Sequence, residues 1–473
     1  MSATRATRAI ADLPGPPRLP GLGNAHQLRP SSLHATAEEW CGRYGPIFRF
    51  DLMQHRVVCV GDTQSINTIL RERPEGFRRW RELERNADET DLKGVFVAEG
   101  EEWRRQRRLA VTALNSNHLN RYFHIVRTST ERLHRRLAQA ARRGDAFDIG
   151  QQLTSYTVDI TSALAFGHDL NTLERGDSEL QKHIQRVFHM SGRRVTMPVR
   201  YWRWIRLPSD RAADRSLAEI RRAVEGFIAQ ARARMAARPE LRETPENFLE
   251  GMLAAQESDN AFSDAEIIGN TFTLLLAGED TTAHTMAWTI WLLASRPEVQ
   301  ARCAEEADEV LDEQLFPDAF ETVGRLHYGE AVLRESMRLR PVAPIIGVEP
   351  LADTTIAGTH IPAGTRVMLL TRYAGMRDGG YARASDFDPD RWLDDGEQER
   401  STHDSKAFLA FGAGPRFCPG RNLAFLESKS AMAMIARNFQ IELDQSNGQV
   451  REQLSFTMIP RGLRVRLRER VAD

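Results

Sequence analysis

The chain has 473 residues, of which 41% are hydrophobic and 27% charged, and its formal net charge is −1. This composition is typical of a globular protein and excludes a disordered or collagen-like chain. A charge so close to zero also excludes an overall affinity for nucleic acid, so any basic surface has to be local. No linker-like segment divides the chain, and we predict one domain over residues 25–473.

The cysteines and the hydropathy pattern bear on the cellular compartment. Cys41, Cys59, Cys303 and Cys418 are scattered, without the spacing of a disulfide framework or a metal cluster. No stretch reaches the roughly 18 consecutive apolar residues of a membrane span. We therefore expect reduced thiols and a cytoplasmic protein, and we expect it to be a monomer.

The first 24 residues are predicted to be a flexible segment. Residues 1–12 are polar and lack the apolar core of a secretory signal, and residues 14–21 are rich in proline, which disfavours helices. Residues 47–60 then alternate β-forming and polar side chains, which predicts a small hairpin.

A mostly helical pattern extends from about residue 101 to residue 345. Near its start, Trp103 and Arg107 are four residues apart, so they share a helix face and can present an indole N–H and a guanidinium to a carboxylate. The other face carries Arg104, Arg105 and Arg108. This basic face is either an ordinary solvated surface or a docking site for an acidic partner protein.

The helical pattern is interrupted near residues 192–210, where aromatic residues and arginines mix. The segment Met197–Trp204 could cover the mouth of a pocket or touch a membrane surface. We interpret it as a lid, because mobile segments over a pocket commonly gate the entry of substrate.

A long central helix is predicted from the sequence Ser263-Asp264-Ala265-Glu266, which has the form of a capping box, as far as Ser295. Its centre is Ala277-Gly278-Glu279-Asp280-Thr281-Thr282, where the small residues let a planar ligand approach. An acid followed by an alcohol in an apolar helix could carry protons through ordered water. The alternative is a structural helix with two threonines and a satisfied acid.

Further along, Glu335 and Arg338 are three residues apart and share a helix face, and Phe387–Trp392 supplies a second arginine, Arg391, in a non-helical segment. An ion pair of this spacing is common on a solvated surface. Strands are predicted at residues 356–361 and 365–370, and again near 456–458 and 463–467.

The most informative segment is Phe411-Gly412-Ala413-Gly414-Pro415-Arg416-Phe417-Cys418-Pro419-Gly420. Its glycines allow positive φ and close approach to a flat ligand. A helical pattern follows, so the Cys418 sulfur would lie at a helix N-terminus, and Arg416 can reach an anionic edge of the ligand. A lone thiolate on a glycine loop suits haem iron, whereas zinc requires clustered ligands. The alternative is a glycine-rich loop with a structural cysteine.

These ten residues resemble the haem-ligand signature of the cytochrome P-450 family, F-x-x-G-x-R-x-C-x-G, at every fixed position. Residues 277–282 resemble the family's oxygen-activation motif, and residues 335–338 and 387–391 resemble its E-x-x-R and F-x-P-x-R motifs. Trp103 and Arg107 match its W-x-x-x-R motif. The resemblance covers nearly the whole chain.

The resemblance implies a fold that is mainly α with minor β, a triangular prism with small sheets and a haem buried between the central helix and the Cys-loop helix. It implies that Cys418 binds iron, that Asp280 and Thr281 deliver protons, and that an interior charge cluster is structural. The remaining residues implied to bind haem are Trp103, Arg107, Arg416, Phe411, Gly412, Gly420, Ala277 and Gly278. The structural cluster is Glu335, Arg338 and Arg391.

The substrate pocket carries over only approximately, to segments that include Trp80–Phe96 and Phe188–Trp204. The predicted pocket residues are Phe96, Phe272, Leu276, Ile345, Ile346, Val348, Phe456 and Thr457. The family often has a basic residue near position 348, and with Val348 there we expect Arg372 to supply the missing contact to a haem propionate.

The implied function is a haem-thiolate monooxygenase that holds haem b (iron protoporphyrin IX), uses O₂ as co-substrate and hydroxylates or epoxidises a lipophilic small molecule. Electrons are expected from a separate ferredoxin or flavodoxin and its NAD(P)H-linked reductase, with no nucleic-acid partner and no membrane span. The alternatives are a peroxide-driven hydroxylase, an oxygen-independent isomerase on the same scaffold, and a haem sensor without turnover.

Overall fold

The computed structural model describes residues 7–90, 92–176, 179–197, 199–259, 262–377, 380–393, 405–446 and 448–470. Helices dominate these ranges. The α-helices are α1 Leu33–Tyr44, α2 Thr63–Arg71, α3 Arg81–Thr90, α4 Gly100–Ala113, α5 Ser116–Arg121, α6 Phe123–Arg143, α7 Ile149–Phe166, α8 Thr172–Arg175, α9 Glu179–Thr196, α10 Pro208–Ala237, α11 Phe248–Asp259, α12 Asp264–Ala294, α13 Pro297–Leu311, α14 Phe320–Gly324, α15 His327–Leu339, α16 Thr371–Gly375 and α17 Arg421–Asn438.

The strands are short and form small sheets. They are β1 Ile47–Leu52, β2 His55–Val60, β3 Phe77–Arg79, β4 Ile346–Pro350, β5 Thr354–Ile356, β6 Thr359–Ile361, β7 Arg366–Leu369, β8 Phe439–Leu443, β9 Arg451–Leu454, β10 Met458–Arg461 and β11 Val465–Glu469. The largest sheet has the order β1-β2-β7-β4-β3, and β2 and β7 are parallel. The predicted hairpin over residues 47–60 is confirmed as β1 and β2.

The central helix α12 forms because its N-terminus is capped as predicted. Ser263 Oγ accepts the backbone N–H of Glu266, and the Glu266 carboxylate accepts the backbone N–H of Ser263. The helix packs closely on α7 at Gly278, where a Cβ atom would lie 2.4 Å from Thr161 Oγ1. Glycine at this position therefore sets the distance between the two helices.

Two predicted strands differ from the structure because of turns. Residues 356–361 form two strands, β5 and β6, instead of one, since Ala357 and Gly358 have φ of 43° and 74° and reverse the chain. Residues 455–457 form a turn, in which Ser455 N–H donates to Thr457 O, and the strand β10 begins only at Met458.

The described part of the N-terminal segment packs on the sheets, which differs from the flexible tail that its composition predicted. His360 N–H donates to Arg8 O over 2.8 Å, and Arg49 N–H donates to Pro14 O over 2.9 Å. Leu13 is 3% exposed in the core of the large sheet. These backbone bonds and this burial hold residues 8–14 in place, whereas residues 1–6 lie outside the described part of the chain.

Hydrophobic clusters surround α12 on several sides. One joins α6, α7, α15 and α17, and another joins α9, α10 and α11. Among the described residues, no helix combines the length and the apolarity that a bilayer crossing requires.

Candidate functional site

The loop before α17 has two positions with a backbone conformation that favours glycine. Gly412 and Gly414 have φ of 72° and 70°, and a Cβ atom on Gly414 would lie 2.5 Å from Leu70 O. Cys418 N–H donates to Phe411 O over 2.9 Å and closes the loop. Gly420 is the N-cap of α17, so Cys418 lies just before the N-terminus of this helix, as predicted.

The electrostatic surroundings of Cys418 act in opposite directions. Burial raises the pKa of the Cys418 thiol, whereas the Gly420 N–H that bonds the sulfur and the charges of Arg107 and Arg79 lower this pKa. Arg107 Nη2 also donates to Phe417 O, which fixes its guanidinium beside the loop. The sulfur therefore has a backbone donor and two cations that favour a thiolate.

Buried arginines cluster around Arg416. The guanidinium of Arg416 lies 4.6 Å from the Trp103 ring and donates to Ala98 O over 2.7 Å and to Glu99. Arg73 is 2% exposed, and burial together with the charge of Arg416 lowers its pKa to about 10. Burial also lowers the pKa of Arg79, on β3, to well below the ordinary arginine value.

This arginine cluster fits the carboxylate edge of a haem. Within the described residues, Nε and Nη1 of Arg416, Nε and Nη2 of Arg73 and Nε of Arg79 are buried and have no hydrogen-bond partner. Glu99 faces all three, through its bond to Arg416 and through its effect on the pKa of Arg73 and of Arg79, while Glu75, which is bonded to Arg104, acts on Arg416 alone among them. Buried N–H groups and excess positive charge favour an anionic ligand with two carboxylates.

Arg73 and Arg79 were not predicted from the sequence, and Arg372 was predicted wrongly. Arg372 bonds Glu38 and Glu452, with 2.8 Å from its Nε to Glu38 and 2.7 Å from its Nη1 to Glu452, so these carboxylates already satisfy its charge. In the β3–β4 ladder Arg79 pairs directly with Val348. The cation expected near position 348 is thus supplied by the neighbouring strand, and only the strand register reveals it.

The centre of α12 presents an accessible strip on an otherwise buried helix. Ala277 is exposed, and Asp280 and Thr281 are half-buried, whereas Glu279, Thr282 and Ala283 are buried. Burial raises the pKa of Asp280 to about 6, against the opposing charge of His189. Thr281 Oγ1 donates to Ala277 O over 2.6 Å, which leaves the hydroxyl oxygen free to accept.

A buried acid that the sequence did not indicate connects α12 to α17. The side chain of Thr282 hydrogen-bonds the Glu427 carboxyl, and burial raises the pKa of Glu427 well above its ordinary value. Glu427 lies in α17, the helix that follows Cys418. Its position on the buried side of this helix gave no sequence signal, because the surrounding residues suggested an ordinary amphipathic helix.

Several predicted pocket residues are brought together. The Phe456 ring lies 5.9 Å from Phe96 and 4.7 Å from Phe188 between centroids, and the Arg79 guanidinium lies 3.9 Å from the Phe96 centroid. Thr457 Oγ1 is 3.4 Å from His284 Nδ1. These residues therefore lie together around the β9–β10 turn, next to α9 and α12, and their role in a substrate pocket stays a prediction.

Other predicted pocket residues belong to the cores. Phe272 is buried in the cluster of α9, α10 and α11, and half-buried Leu276 packs against it. Val348 is 0% exposed inside the sheet core, so its side chain does not reach a ligand. Ile345 and Ile346 are half-buried and remain at the border of the pocket region. Apolar side chains are required both in the cores and in a pocket, so the apolar character of a residue does not show which of the two it belongs to.

The interior charge cluster has a fourth member. Glu335 receives two bonds from Arg338, at 2.8 and 2.7 Å, and one from Arg391 Nε at 2.9 Å, and all three side chains are 2% exposed or less. Trp392 Nε1 also donates to Glu335 over 2.9 Å. The Trp392 ring lies 5.1 Å from Phe408, and Phe408 lies 6.3 Å from Phe411. Aromatic contacts therefore connect the cluster to the Cys418 loop.

The predicted lid segment is partly described. Trp202 is buried in a short 3₁₀ turn, while Trp204 is 77% exposed. Pro198 lies outside the described residues.

Comparisons with known proteins identify relatives of this architecture. The family model for Cytochrome P450 matches residues 13–467. Human cytochrome P450 4V2 is 27% identical over 398 residues, which covers 80% of this chain and 74% of that protein. The Arabidopsis thaliana protein LUTEIN DEFICIENT 5, chloroplastic, is 27% identical over 440 residues, and this alignment covers 90% of this chain and 72% of that protein. The crystal structure of the cytochrome P450DA heme domain superposes with a TM-score of 0.85 at 23% identity, over 99% of both chains.

Proposed function

Since the chain belongs to the cytochrome P450 family, whose members are haem-dependent monooxygenases, we propose that Cys418 binds the iron of haem b and that the enzyme hydroxylates or epoxidises a lipophilic small molecule. The observation that carries this proposal is the Cys418 loop beside buried arginines whose N–H groups lack partners.

The roles of the haem-binding residues follow from their contacts. When bound, haem iron supplies the activation of O₂, and a thiolate ligand increases the electron density that favours O–O cleavage. Cys418 supplies this thiolate, and the Gly420 N–H and Arg107 stabilise its negative charge. Arg73, Arg79 and Arg416 hold the carboxylates, and the Trp103 ring packs under the Arg416 guanidinium.

Asp280 and Thr281 are suited to move protons. A carboxyl group with a pKa near 6 is present in both protonation states close to neutral pH, so it can take a proton from water and release it again. The Thr281 hydroxyl oxygen accepts a hydrogen bond while its own hydrogen is held by Ala277 O. The pair can thereby pass protons from Asp280 to a water held at Thr281.

The pocket region favours a lipophilic substrate. Phe96, Phe188 and Phe456 form an aromatic wall, so binding depends on burial and shape. Electrons are proposed to come from a ferredoxin or flavodoxin with its reductase. A cytoplasmic location is supported by the cysteines, which are all free thiols.

The proposed function is tested by reconstitution with NAD(P)H, a reductase and either electron donor, under ¹⁸O₂. We expect product that carries one labelled oxygen atom. Product formed with peroxide but not with NAD(P)H would favour the peroxide-driven alternative. A stable haem protein without turnover in either assay, over a broad panel of lipophilic compounds, would favour the sensor.

The role of Cys418 has a separate spectroscopic test. We expect Cys418→Ser to lose the red-shifted absorption of the reduced carbonyl complex that a thiolate ligand produces. The matched control is Cys303→Ser, because Cys303 is a buried thiol in α13 whose pKa burial raises to about 12. An unchanged spectrum in Cys418→Ser would contradict the assignment.

The proton relay is tested by Thr281→Ala. We expect NAD(P)H consumption to continue while the amount of product per NAD(P)H falls about tenfold or more, since the variant lacks the hydroxyl group that holds the proton-carrying water. Thr285→Val is the control, because Thr285 lies one turn further along α12 and makes the same type of hydroxyl bond to the backbone, at 2.8 Å to Thr281 O. Equal coupling in Thr281→Ala and wild type would refute the relay.

A further inference from the structure

A cavity of about 490 Å³ lies outside the haem-binding region, between residues 25–33, the large sheet, α3 and residues 194–204. Much of its wall is apolar, formed by Leu28, Leu33, Phe50, Trp80, Met197 and Met368. Exposed Trp204 also lines it, so the cavity reaches the protein surface.

Trp80 separates this cavity from the predicted substrate pocket. Its ring lies so close to Gly347 that a Cβ atom there would be 2.4 Å from the indole, and its Nε1 donates to Val348 O over 3.1 Å. Trp80 and Met368 also pack in one hydrophobic cluster with Ile345, at the border of the pocket. A ligand in the cavity would thus contact Trp80, which on its other side packs against residues at the border of the predicted pocket.

The charged residues of the cavity have a positive surplus. Five arginines line it, at positions 85, 194, 200, 203 and 366, against two glutamates. Glu82 is already bonded to Arg366, and Glu89 accepts Trp202 Nε1 over 2.9 Å with Arg200 3.9 Å away. Both glutamates are therefore already bonded, and the surplus of arginines in the cavity favours the binding of an anion.

Arg194 is the cation best placed to bind that anion. It is 6% exposed, and among the described residues its buried Nε and Nη2 atoms have no hydrogen-bond partner. Its guanidinium lies 5.3 Å from the Trp202 ring. Asp214 approaches to 3.9 Å, but the other oxygen of this carboxylate is bonded to Arg206, and nearby Asp210 is bonded to Arg193. A buried guanidinium with free N–H groups favours a carboxylate, which it can bind through two parallel bonds.

We propose that this cavity binds lipophilic carboxylic acids, with the carboxylate on Arg194 and the hydrocarbon chain along Trp80 towards the pocket. Where these acids are also the molecules that are oxidised, the proposal rests on the proposed function and names its substrate class. A neutral or cationic ligand would leave the Arg194 guanidinium unpaired in its buried position.

The test measures binding of dodecanoic acid and of dodecanol to the haem-loaded protein, by calorimetry and by the fluorescence of the tryptophans in the cavity wall. We expect wild type to bind the acid about tenfold more tightly than the alcohol, because a charge-assisted bond to a buried cation is stronger than a hydrogen bond to a neutral hydroxyl. Arg194→Gln should abolish this difference. Arg194→Lys should keep part of it, since the charge remains but the planar fork is lost.

Arg215→Gln is the matched control, because Arg215 is an exposed arginine on α10. It should leave both affinities unchanged. Equal binding of acid and alcohol by wild type would overturn the proposal even if the Arg194 variants do not fold. Equal acid binding in wild type and a folded Arg194→Gln would overturn it as well.

Failure of this proposal can be separated from failure of the proposed function, since binding is measured without an electron donor. Acid binding that depends on Arg194 without oxidation of the acid supports the binding site and removes these acids as a substrate class. Loss of the thiolate-type carbonyl spectrum, by contrast, refutes the proposed function whatever the acid affinity is.

Discussion

Individual side chains in this protein carry charge in places where water is largely excluded. Arg73, Arg79 and Arg416 are buried cations that share the acid Glu99, and Glu75 acts on Arg416 in addition. Asp280 and Glu427 are carboxyl groups whose pKa burial raises. Uncompensated buried charges destabilise a fold, so their presence in one region indicates a ligand or a reaction that uses them.

Asp280 should make stability depend on pH with a defined sign. Burial raises the pKa of this carboxyl from its ordinary value of 3.8, which applies in the unfolded chain, to about 6 in the folded protein. Folding therefore takes up a proton between these values, and stability falls as pH rises from about 4 to 6 and stays low above that. We expect Asp280→Asn to be more stable than wild type at pH 7.5, by up to about 3 kcal/mol, in urea unfolding of the holoprotein. The difference should shrink towards pH 5.

The control for this prediction is Asp264→Asn in the first turn of the same helix. Gln256 and Arg232 lower the pKa of Asp264, so removing its charge should give no stabilisation at pH 7.5. If Asp280→Asn raised the free energy of unfolding by the same amount at every pH, ionisation of Asp280 would not be the cause of the stabilisation.

At the scale of elements, the Cys418 loop is supported by α15 and by the 3₁₀ turn Pro389–Trp392. Glu335 on the helix binds Arg391 and Trp392 on the turn. The aromatic rings of Trp392, Phe408 and Phe411 continue this contact to the loop. Tryptophan at position 392 thus adds a hydrogen bond that a phenylalanine could not make.

We expect Glu335→Ala to destabilise the protein by about 3–5 kcal/mol, because it leaves the buried guanidinium groups of Arg338 and Arg391 without their carboxylate. Haem retention after gel filtration should fall together with stability. Both are measured by denaturant unfolding and by the ratio of haem to protein absorbance.

Asp390→Ala is the matched control in the same turn. Its bond to Arg302 links two side chains that are 57% and 45% exposed, and a surface pair of this kind contributes about 1 kcal/mol or less. A comparable loss of stability in Asp390→Ala and Glu335→Ala would mean that burial does not determine how much the charge cluster contributes to the free energy of unfolding.

For the molecule as a whole the net charge is −1, but charge is distributed unevenly, and α4 alone carries four arginines. On α4, Arg104 is paired with Glu75 and Glu101, and Arg105 with Glu266. Arg108 is exposed and lies next to Arg107, which bonds the loop. The basic helix expected from the sequence is therefore largely neutralised, and Arg108 carries the charge that a donor could meet.

We expect Arg108→Glu to slow reduction of the haem by an acidic ferredoxin or flavodoxin several-fold at low ionic strength, in stopped-flow measurements. The effect should decrease as salt rises, since the screening length is about 10 Å at 0.1 M. Arg215→Glu, on α10, has the same charge change away from the loop and should have little effect. A rate insensitive to both salt and Arg108→Glu would place the donor elsewhere.

The sequence by itself determined the parts of this protein that depend on local geometry. Gly412 and Gly414, the capping box at Ser263 and the spacing of Glu335 and Arg338 are short-range patterns, and their predicted conformations agree with the structure. Gly420, by contrast, has a φ of −81° where a positive φ was expected. The helix-rich fold followed from periodicity and from the family resemblance.

Only the tertiary structure decided which distant residues meet. Arg79 lies opposite Val348 because of a strand register, Glu427 meets Thr282 because two helices pack, and Arg194 is buried beside a cavity formed by four separate segments. Phe272 and Val348 were predicted to line the pocket but lie in hydrophobic cores, because the packing of other elements covers them. Periodicity along the chain shows which face of an element is apolar, but it carries no information about the partner that covers this face.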